Sequence, residues 1–437
     1  MNLIHFQSVL VFSLSLILSG RVQAESLRLS EALNEALAQS PKLQRSESQY
    51  HEAGWRKNES FSGFLPTLSA QASYLFDKKY ALIDVDIANF SFSIPQIVPT
   101  TSASLTAQWS IFDGFSSTNR YLGANAFMEA AKDELEWVRF QLQREVTLLF
   151  FKAVAAKELK NVAEKSVRAL QDHLKNVRLF AKVGSSTNYD VLRVEVQVSE
   201  VQSELLNALD NVELSRGRLS EALGREQDLT DVEGTLPILT PELVAKFKKA
   251  DLTERKDLRS LRRKAESFAY QEAATERYWV PRVALVGQYQ YYNNRNDRFD
   301  DYESFRDAYQ VGVTLSWNIF DGTSISRSKQ SVEQRYQADK TLRLAELKAQ
   351  RDFDFWRKRF LYHCAVYEAR ISDVQRSEES VRLARQGQRA GVRTNTDVLD
   401  AEAELFRSRA GVINAQLGAL EAIVSLELST GQQLVQF

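Results

Sequence analysis

The side chains best suited to chemistry are sparse in this chain, which has only four histidines and one cysteine. His51, His173 and His363 fall on separate helical stretches with no cysteine, histidine or glutamate at ligand spacing, a pattern of solvated or interhelical histidines rather than a metal site. Cys364 lies midway along a helical stretch, so neither a disulfide framework nor a thiolate cluster is available. No phosphate-cradling glycine loop, nucleophile elbow or paired acid and base occurs, and neither catalysis nor a cofactor is expected. The acidic run from Asn294 to Glu303 lacks the ordered ligand spacing of a calcium loop and reads as an exposed connection. What remains is one charged phrase, G-V-R-T-N-T-D-V-L-D from Gly391 to Asp400. Asp397 and Asp400 are three residues apart and share one face of a helix. A related phrase, G-S-S-T-N-Y-D-V-L from Gly184 to Leu192, sets Asp190 where the second sets Asp397. An acid three residues after a threonine also suits the positive end of a helix, so Asp190 and Asp397 have a purely structural reading as well.

The elements that position these residues follow from a duplication. The phrases starting at Gly184 and Gly391 are 207 residues apart, and W-S-I-F-D-G from Trp109 and W-N-I-F-D-G from Trp317 are 208 apart. Two phrases in one order at nearly one offset mark an internal repeat. Each W-x-I-F-D-G closes a stretch of alternating apolar and polar residues and opens a long stretch of helical period. It is therefore a strand-to-helix junction, carried by Trp109, Phe112, Asp113 and Gly114 and again by Trp317, Phe320, Asp321 and Gly322.

Strands are predicted over about residues 66–76, 102–112, 282–292 and 309–320, entered at Pro66 and Pro281. One face carries Leu68, Ala70, Ala72 and Tyr74; the other carries Thr67, Ser69, Gln71 and Ser73. Each strand is about 10 residues long, enough to cross a bilayer when tilted. Trp109, Phe112, Trp279, Trp317 and Phe320 gather at one level, and Tyr74, Phe76, Tyr289, Tyr291 and Tyr309 at the other, as interfacial girdles would. A soluble sandwich with one wet face would alternate in the same way, but four strands are few for a chain of 437 residues. Residues 1–24 lack Asp and Glu, run apolar from Val9 to Leu18 and end in Val22-Gln23-Ala24, which reads as a signal peptide. Its removal leaves 55 basic against 57 acidic residues, a balance that suggests no nucleic-acid partner.

After each junction the apolar residues recur about every 3.5 residues, the period of helices packed side by side with little supercoil. From Ser116 to Val183 the chain would span roughly 100 Å of helix, too long for one globular core. The stretch from Val191 to Val198 looks strand-like, but its duplicate from Val398 to Leu405 is plainly helical and decides the reading. The expected organisation is a first repeat at 25–224, a mixed linker at 225–253, a second repeat at 254–431 and a tail at 432–437. The second repeat lacks a final helix, and the N-terminal helix from Ser30 to Phe61 has the length to take its place, giving a pseudo-twofold protomer. Four strands leave open edges, which lipid penalises by several kcal/mol per unpaired group, so the protomer must oligomerise. Eight strands nearly fill with side chains; twelve leave a lumen, which suits the small polar faces better.

The paired strand ends in W-x-I-F-D-G, the hairpin turns in G-x-x-T-x-x-D-V-L and the start L-R-L-S-E-A-L-N-E-A-L-A together resemble the TolC-like outer membrane efflux proteins over residues 25 to 431. That resemblance implies a homotrimer in the outer membrane of a Gram-negative bacterium, with a 12-stranded β-barrel in lipid continuous with a 12-helix periplasmic α-barrel. It implies an exit duct for drug efflux or type I secretion, with a periplasmic adaptor and an inner-membrane transporter as partners. It places Asp397 and Asp400 at the periplasmic aperture, makes Arg393 and Asp190 latch candidates, and puts adaptor contacts at the tips around Gly184, Thr187, Gly391 and Thr394. Six carboxylates in a narrow ring would raise one another's pKa values and favour cations. A soluble periplasmic coiled-coil scaffold would explain the helices but not the strands; a passive porin would explain the strands but not the helices.

Overall fold

A computed structural model describes residues 26–76, 81–87, 90–96, 101–226, 231–245, 252, 255–293 and 305–437. The expected signal peptide and the whole of the Asn294–Glu303 loop lie outside the described residues. Two helices open the chain, α1 (Leu29–Gln39) and α2 (Pro41–Ser62). They break at Ser40 because Pro41 has no N–H to continue a helix but is well placed to begin one. Strands β1 (Thr67–Tyr74), β2 (Ala81–Ile87), β3 (Phe90–Gln96) and β4 (Thr101–Phe112) follow, then α3 (Ser116–Lys182) and α4 (Asn188–Leu223). A single-turn α5 (Glu242–Ala245) precedes α6 (Lys256–Glu276), β5 (Arg282–Asn293), β6 (Phe305–Ser316), α7 (Gly322–Arg389) and α8 (Asn395–Thr430).

Four strands form one antiparallel sheet in the order β1-β4-β5-β6, which leaves β1 and β6 as open edges. Its register sorts the side chains by chemistry. Ser73, Ser102, Tyr292 and Arg306 share one row, and Gln71, Ser104, Gln290 and Ala308 the next. Below them come Ser69, Thr106, Gln288 and Gln310, then Thr67, Gln108, Val286 and Gly312. The amide of Gln310 donates to Gln288 Oε1 at 2.7 Å, and the Ser73 and Ser102 hydroxyls lie 2.8 Å apart. On the opposite face Ala70, Leu105, Tyr289 and Tyr309 lie in register. Along β4, Ala103 and Leu105 are exposed while Ser102, Ser104 and Thr106 are half-buried, so the polar face is the hollow one.

Two strand expectations are corrected. Residues 81–87 and 90–96 form a further antiparallel pair, β2 with β3, whose signal was the alternation of Asp84 and Asp86 with Val85 and of Phe90 and Phe92 with Ser91 and Ser93. The Ser91 and Ser93 hydroxyls donate across it to Asp86 and Asp84. The last strand runs over 305–316, four residues earlier than the expected 309–320, because its pairing with β5 extends to Phe305 opposite Asn293. Trp317 and Phe320 therefore lie beyond the sheet.

The helices α3 and α7, of 67 and 68 residues, set the length of the molecule. The strand-like stretch Val191–Val198 lies within α4. α3 packs against α4 toward the turn and against α6 toward the sheet, as Arg178–Glu195 (2.6 Å) at one end and Arg259–Asp133 at the other mark. α4 and α6, 36 and 21 residues long, follow one another along α3, and residues 231–240 between them are irregular. That segment binds the chain start by a parallel bridge, Leu27 to Val232. The largest apolar cluster lies at this level, around Phe150, Phe353, Phe360, Leu420 and Ile423, all 2% exposed or less.

Candidate functional site

Both long hairpins turn on a glycine in the left-handed region, Gly184 at φ +78° and Gly391 at φ +75°. No atom lies within 4 Å of where a Cβ would stand on either, so backbone angle rather than crowding demands glycine. Three residues later a threonine opens the return helix. Thr187 Oγ1 accepts the Asp190 N–H at 3.1 Å, and Asp190 Oδ2 accepts the Thr187 N–H at 3.0 Å and its hydroxyl at 2.7 Å. Thr394 and Asp397 repeat the arrangement at 3.2, 2.8 and 2.9 Å. Each is a reciprocal capping box with the acid in the first helical turn.

These bonds favour the ionised form. The Thr187 hydroxyl, then the Thr187 N–H, hold the Asp190 carboxyl below its ordinary range; for Asp397 the Thr394 N–H acts first, then the Thr394 hydroxyl. Within one chain the direction is thus opposite to the rise expected from a crowded ring. Asp400 lies one turn along and is exposed. With Asp397, Arg393, Glu379 and Glu404 it borders one open groove between α7 and α8, so the two aspartates do share a face.

Within one chain Arg393 and Asp190, the latch candidates, each engage a local partner. Arg393, in the turn ahead of α8, reaches Asp397 in the first turn of that helix at 3.8 Å, an exposed pair of the kind that contributes little. Asp190 is already engaged by Thr187 and by the Ser186 hydroxyl at 3.1 Å. Other residues bridge the hairpins. Arg193 Nη1 donates to Thr396 Oγ1 at 2.8 Å, and Asn395 Nδ2 donates to the Asp190 carbonyl at 3.3 Å. The Asn395 oxygen meets His173 Nε2 at 2.7 Å. One signal was present in the sequence: Arg193 occupies the place in its phrase that Asp400 occupies in the other, so the charge reverses between copies. Around the turns Val183, Tyr189, Leu192 and Val392 stand in solvent.

At the other end of the helices the repeated phrase staples sheet to helix. Trp109 Nε1 donates to the Phe64 carbonyl and Trp317 Nε1 to the Trp279 carbonyl, each at 2.9 Å, tying each motif to the chain just ahead of β1 or β5. Asp113 Oδ2 accepts the N–H and the hydroxyl of Ser117 at 2.7 and 2.5 Å. Asp321 accepts the Thr323 N–H at 3.0 Å and the Ser324 hydroxyl at 2.5 Å. Gly114, at φ +72°, could carry no side chain, because a Cβ there would stand 2.9 Å from the Val280 Cβ. Gly322 begins α7 in open space, and Phe112 and Phe320 are both exposed.

A family model described as outer membrane efflux protein matches residues 32–225 and 249–432. The chain belongs to that outer membrane efflux protein family. Among curated proteins it is similar to the proteases secretion protein PrtF of Dickeya chrysanthemi, 25% identical over 291 residues, 64% of this chain and 62% of PrtF. It is also similar to the alkaline protease secretion protein AprF of Pseudomonas aeruginosa, 21% identical over 427 residues, 94% of this chain and 86% of AprF. Two solved structures share the fold of this family member. The outer membrane protein VceC of Vibrio cholerae aligns with a TM-score of 0.77 at 18% identity over 93% of this chain and 97% of its own. The CmeC outer membrane channel of Campylobacter jejuni aligns at 0.74 and 14% identity over 92% and 85%. This family member is an outer membrane protein of a Gram-negative bacterium, and its fold is that of outer membrane channels rather than enzymes.

Proposed function

We propose that the chain is the outer membrane exit duct of a type I secretion system. The observation that carries this reading is the four-stranded antiparallel sheet with both edges open, joined directly to helices 67 and 68 residues long. In lipid such edges must be paired, and three copies would supply the twelve strands that enclose a water-filled lumen. The hollow polar face would line that lumen, and the apolar face with Leu105, Tyr289 and Tyr309 would meet outer membrane lipid. Beneath it, α3, α4, α7 and α8 of each copy would give a twelve-helix periplasmic barrel.

In this reading the duplication divides the chain into repeats at 25–224 and 254–431 around the 225–253 linker, with 1–24 removed as a signal peptide. The tips at Gly184, Thr187, Gly391 and Thr394 would contact a periplasmic adaptor, to which exposed Val183, Tyr189, Leu192 and Val392 offer apolar anchors. An inner-membrane transporter would feed the duct. Asp397 and Asp400 from three copies would ring the aperture, and Arg193 rather than Arg393 would tie the hairpins of one chain. Secretion of protein, rather than drug efflux, is favoured by the naming of PrtF and AprF as protease secretion proteins. The test is deletion of the gene with proteomics of the medium. Loss of one or a few exported proteins with unchanged antibiotic susceptibility supports the reading; an unchanged medium with raised drug sensitivity turns it to efflux, and a water-soluble monomer ends it.

A further inference from the structure

The first strand-to-helix junction is irregular in three successive places: a bulge interrupts the β4–β5 register between Ser110 and Phe112, Gly114 is left-handed, and so is Phe115 at φ +64°. Phe115 is the one non-glycine with a positive φ among the described residues. A phenylalanine takes that conformation against its steric preference, and only where the surrounding structure imposes it. The bulge has a definite effect. Without it Phe112 would fall on the polar face with Ser110; with it Phe112 pairs with Val283 and joins Trp109 and Leu285 on the apolar face. The Phe115 ring then meets Phe112 edge-on, with centroids 5.6 Å apart, and stands 56% exposed.

Beside it, α2 and α3 add a second group of rings. Phe61, Phe64 and Tyr121 have centroids 5.9 to 6.2 Å apart, and the Phe64 carbonyl is the one that Trp109 Nε1 binds, so this group also adjoins the apolar face. A cation stands over each group. Arg277 Cζ is 5.6 Å from the Phe115 centroid while its Nη1 donates to the Gly114 carbonyl at 3.3 Å, and Lys57 Nζ is 5.8 Å from the Tyr121 centroid. Asp113 is taken up by Ser117, and Glu52 by Arg56. Glu59 and Glu276 are exposed, and among the described residues no carboxylate forms an ion pair with Lys57 or Arg277. Both cations keep N–H donors to spare. Since β4 and β5 are the inner strands of the sheet, the group around Phe112, Phe115 and Arg277 lies away from the open edges, where another copy would pair.

We propose that this junction binds an anionic phospholipid of the periplasmic leaflet, with Arg277 and Lys57 taking headgroup phosphates and Phe61, Phe112 and Phe115 lying against the first carbons of the acyl chains. The proposal rests on the duct reading for its assignment of the apolar face to lipid, and adds to it a choice of lipid. The chemistry selects net charge. In a zwitterionic lipid the headgroup's own ammonium offsets the phosphate, whereas phosphatidylglycerol brings an uncompensated anion to cations that lack one. Stacked on a ring, each cation is held at the level where aromatic side chains meet headgroups. The second junction lacks these parts: Thr323 stands in the place of Phe115, and Lys329 in the place of Tyr121.

The test reconstitutes the full-length protein in vesicles of phosphatidylethanolamine with about one-third phosphatidylglycerol, extracts it in mild detergent and quantifies by mass spectrometry the lipid that stays bound. Retained phosphatidylglycerol is expected to exceed its share in the vesicle several-fold for the parent, to fall to that share for Arg277→Gln with Lys57→Gln, and to stay enriched for Lys175→Gln near the tips. Phe115→Gly suits the left-handed backbone while removing the ring, so the fold stands and the enrichment drops. Raised salt lowers the enrichment of the parent. A parent ratio equal to that of the vesicle, or one that the double variant leaves unchanged, overturns the site. So does displacement of the lipid by inorganic phosphate at constant ionic strength, which would make it a site for the free anion. A trimer that enters vesicles without headgroup preference ends this proposal alone; a protein that enters none ends the duct reading as well.

Discussion

Arg144 Nη1 and Glu427 Oε2 lie 2.7 Å apart with side chains 5% and 0% exposed, the most enclosed ion pair among the described residues. The other oxygen of Glu427 accepts the N–H groups of Leu434 and Val435 at 2.6 and 2.9 Å, so one carboxylate ties α3, α8 and the C-terminal tail together. Removing one partner strands a buried charge, at a cost of about 3–5 kcal/mol. Glu427→Ala should therefore lower the unfolding temperature sharply, whereas Arg144→Met with Glu427→Leu should recover much of the loss. Equal destabilisation by the single and double variants in calorimetry would count against this account.

The two capping boxes should fray independently. Thr187→Ala and Thr394→Ala each remove a cap of about 1 kcal/mol, and the effect should be confined to the first turns of α4 and α8. Because the Asp190 and Asp397 carboxyls sit below their ordinary 3.8, the caps are fully made above that value and lost as pH falls through the lower folded one. Hydrogen exchange of the parent tips should show this acid loosening, and the threonine variants should show it weakened.

If Asp397 and Asp400 ring the aperture as proposed, Asp397→Ala with Asp400→Ala should carry the reversal potential in a salt gradient toward zero. A cation preference equal to the parent's removes the assignment.

Arg193, bonded to Thr396 across the hairpins, should matter more for closure than Arg393, which reaches only the first turn of the helix that follows it. Cells carrying Arg193→Ala should take up a large antibiotic more readily than those carrying Arg393→Ser. The reverse order would restore Arg393 as the latch.

Open strand edges make a further demand. Successive N–H groups of β6 point to opposite sides, so of Gly312→Pro and Val313→Pro one removes a bond to β5 and the other a donor to a neighbouring copy. Light scattering in detergent should find the oligomer weakened in both, and a trimer resistant to both would show that β6 is not at an interface.

Much of this was legible because two strong periodicities dominate the chain. Leu105 and Tyr289 alternating with Ser104 and Gln288 declared strands, and the 3.5-residue recurrence declared long helices whose turns Gly184 and Gly391 marked. The β2–β3 pair was legible in principle, yet Asp84 and Asp86 within it look unlike a membrane strand. The end of β6 was misplaced because Trp317 and Ile319 continue the alternation after pairing with β5 has stopped. At the tips, Asp397 stood out by its charge, whereas His173 did not, since burial and the Asn395 bond arise only when helices 222 residues apart in sequence come together. Arg393 and Asp190 were singled out by resemblance, and within one chain each engages a local partner.

Between Arg282 and Arg306, the polar face of the four-stranded sheet bears hydroxyls, amides and small side chains without one formal charge. In an assembled duct this makes the final stage of export electrostatically blind. A polypeptide of mixed sign would find no fixed counter-ion on which to stall, and would exchange hydrogen bonds with the wall as readily as with water. Any sorting by charge would fall to the two ends of that face, at Arg282 and Arg306, or to the periplasmic side.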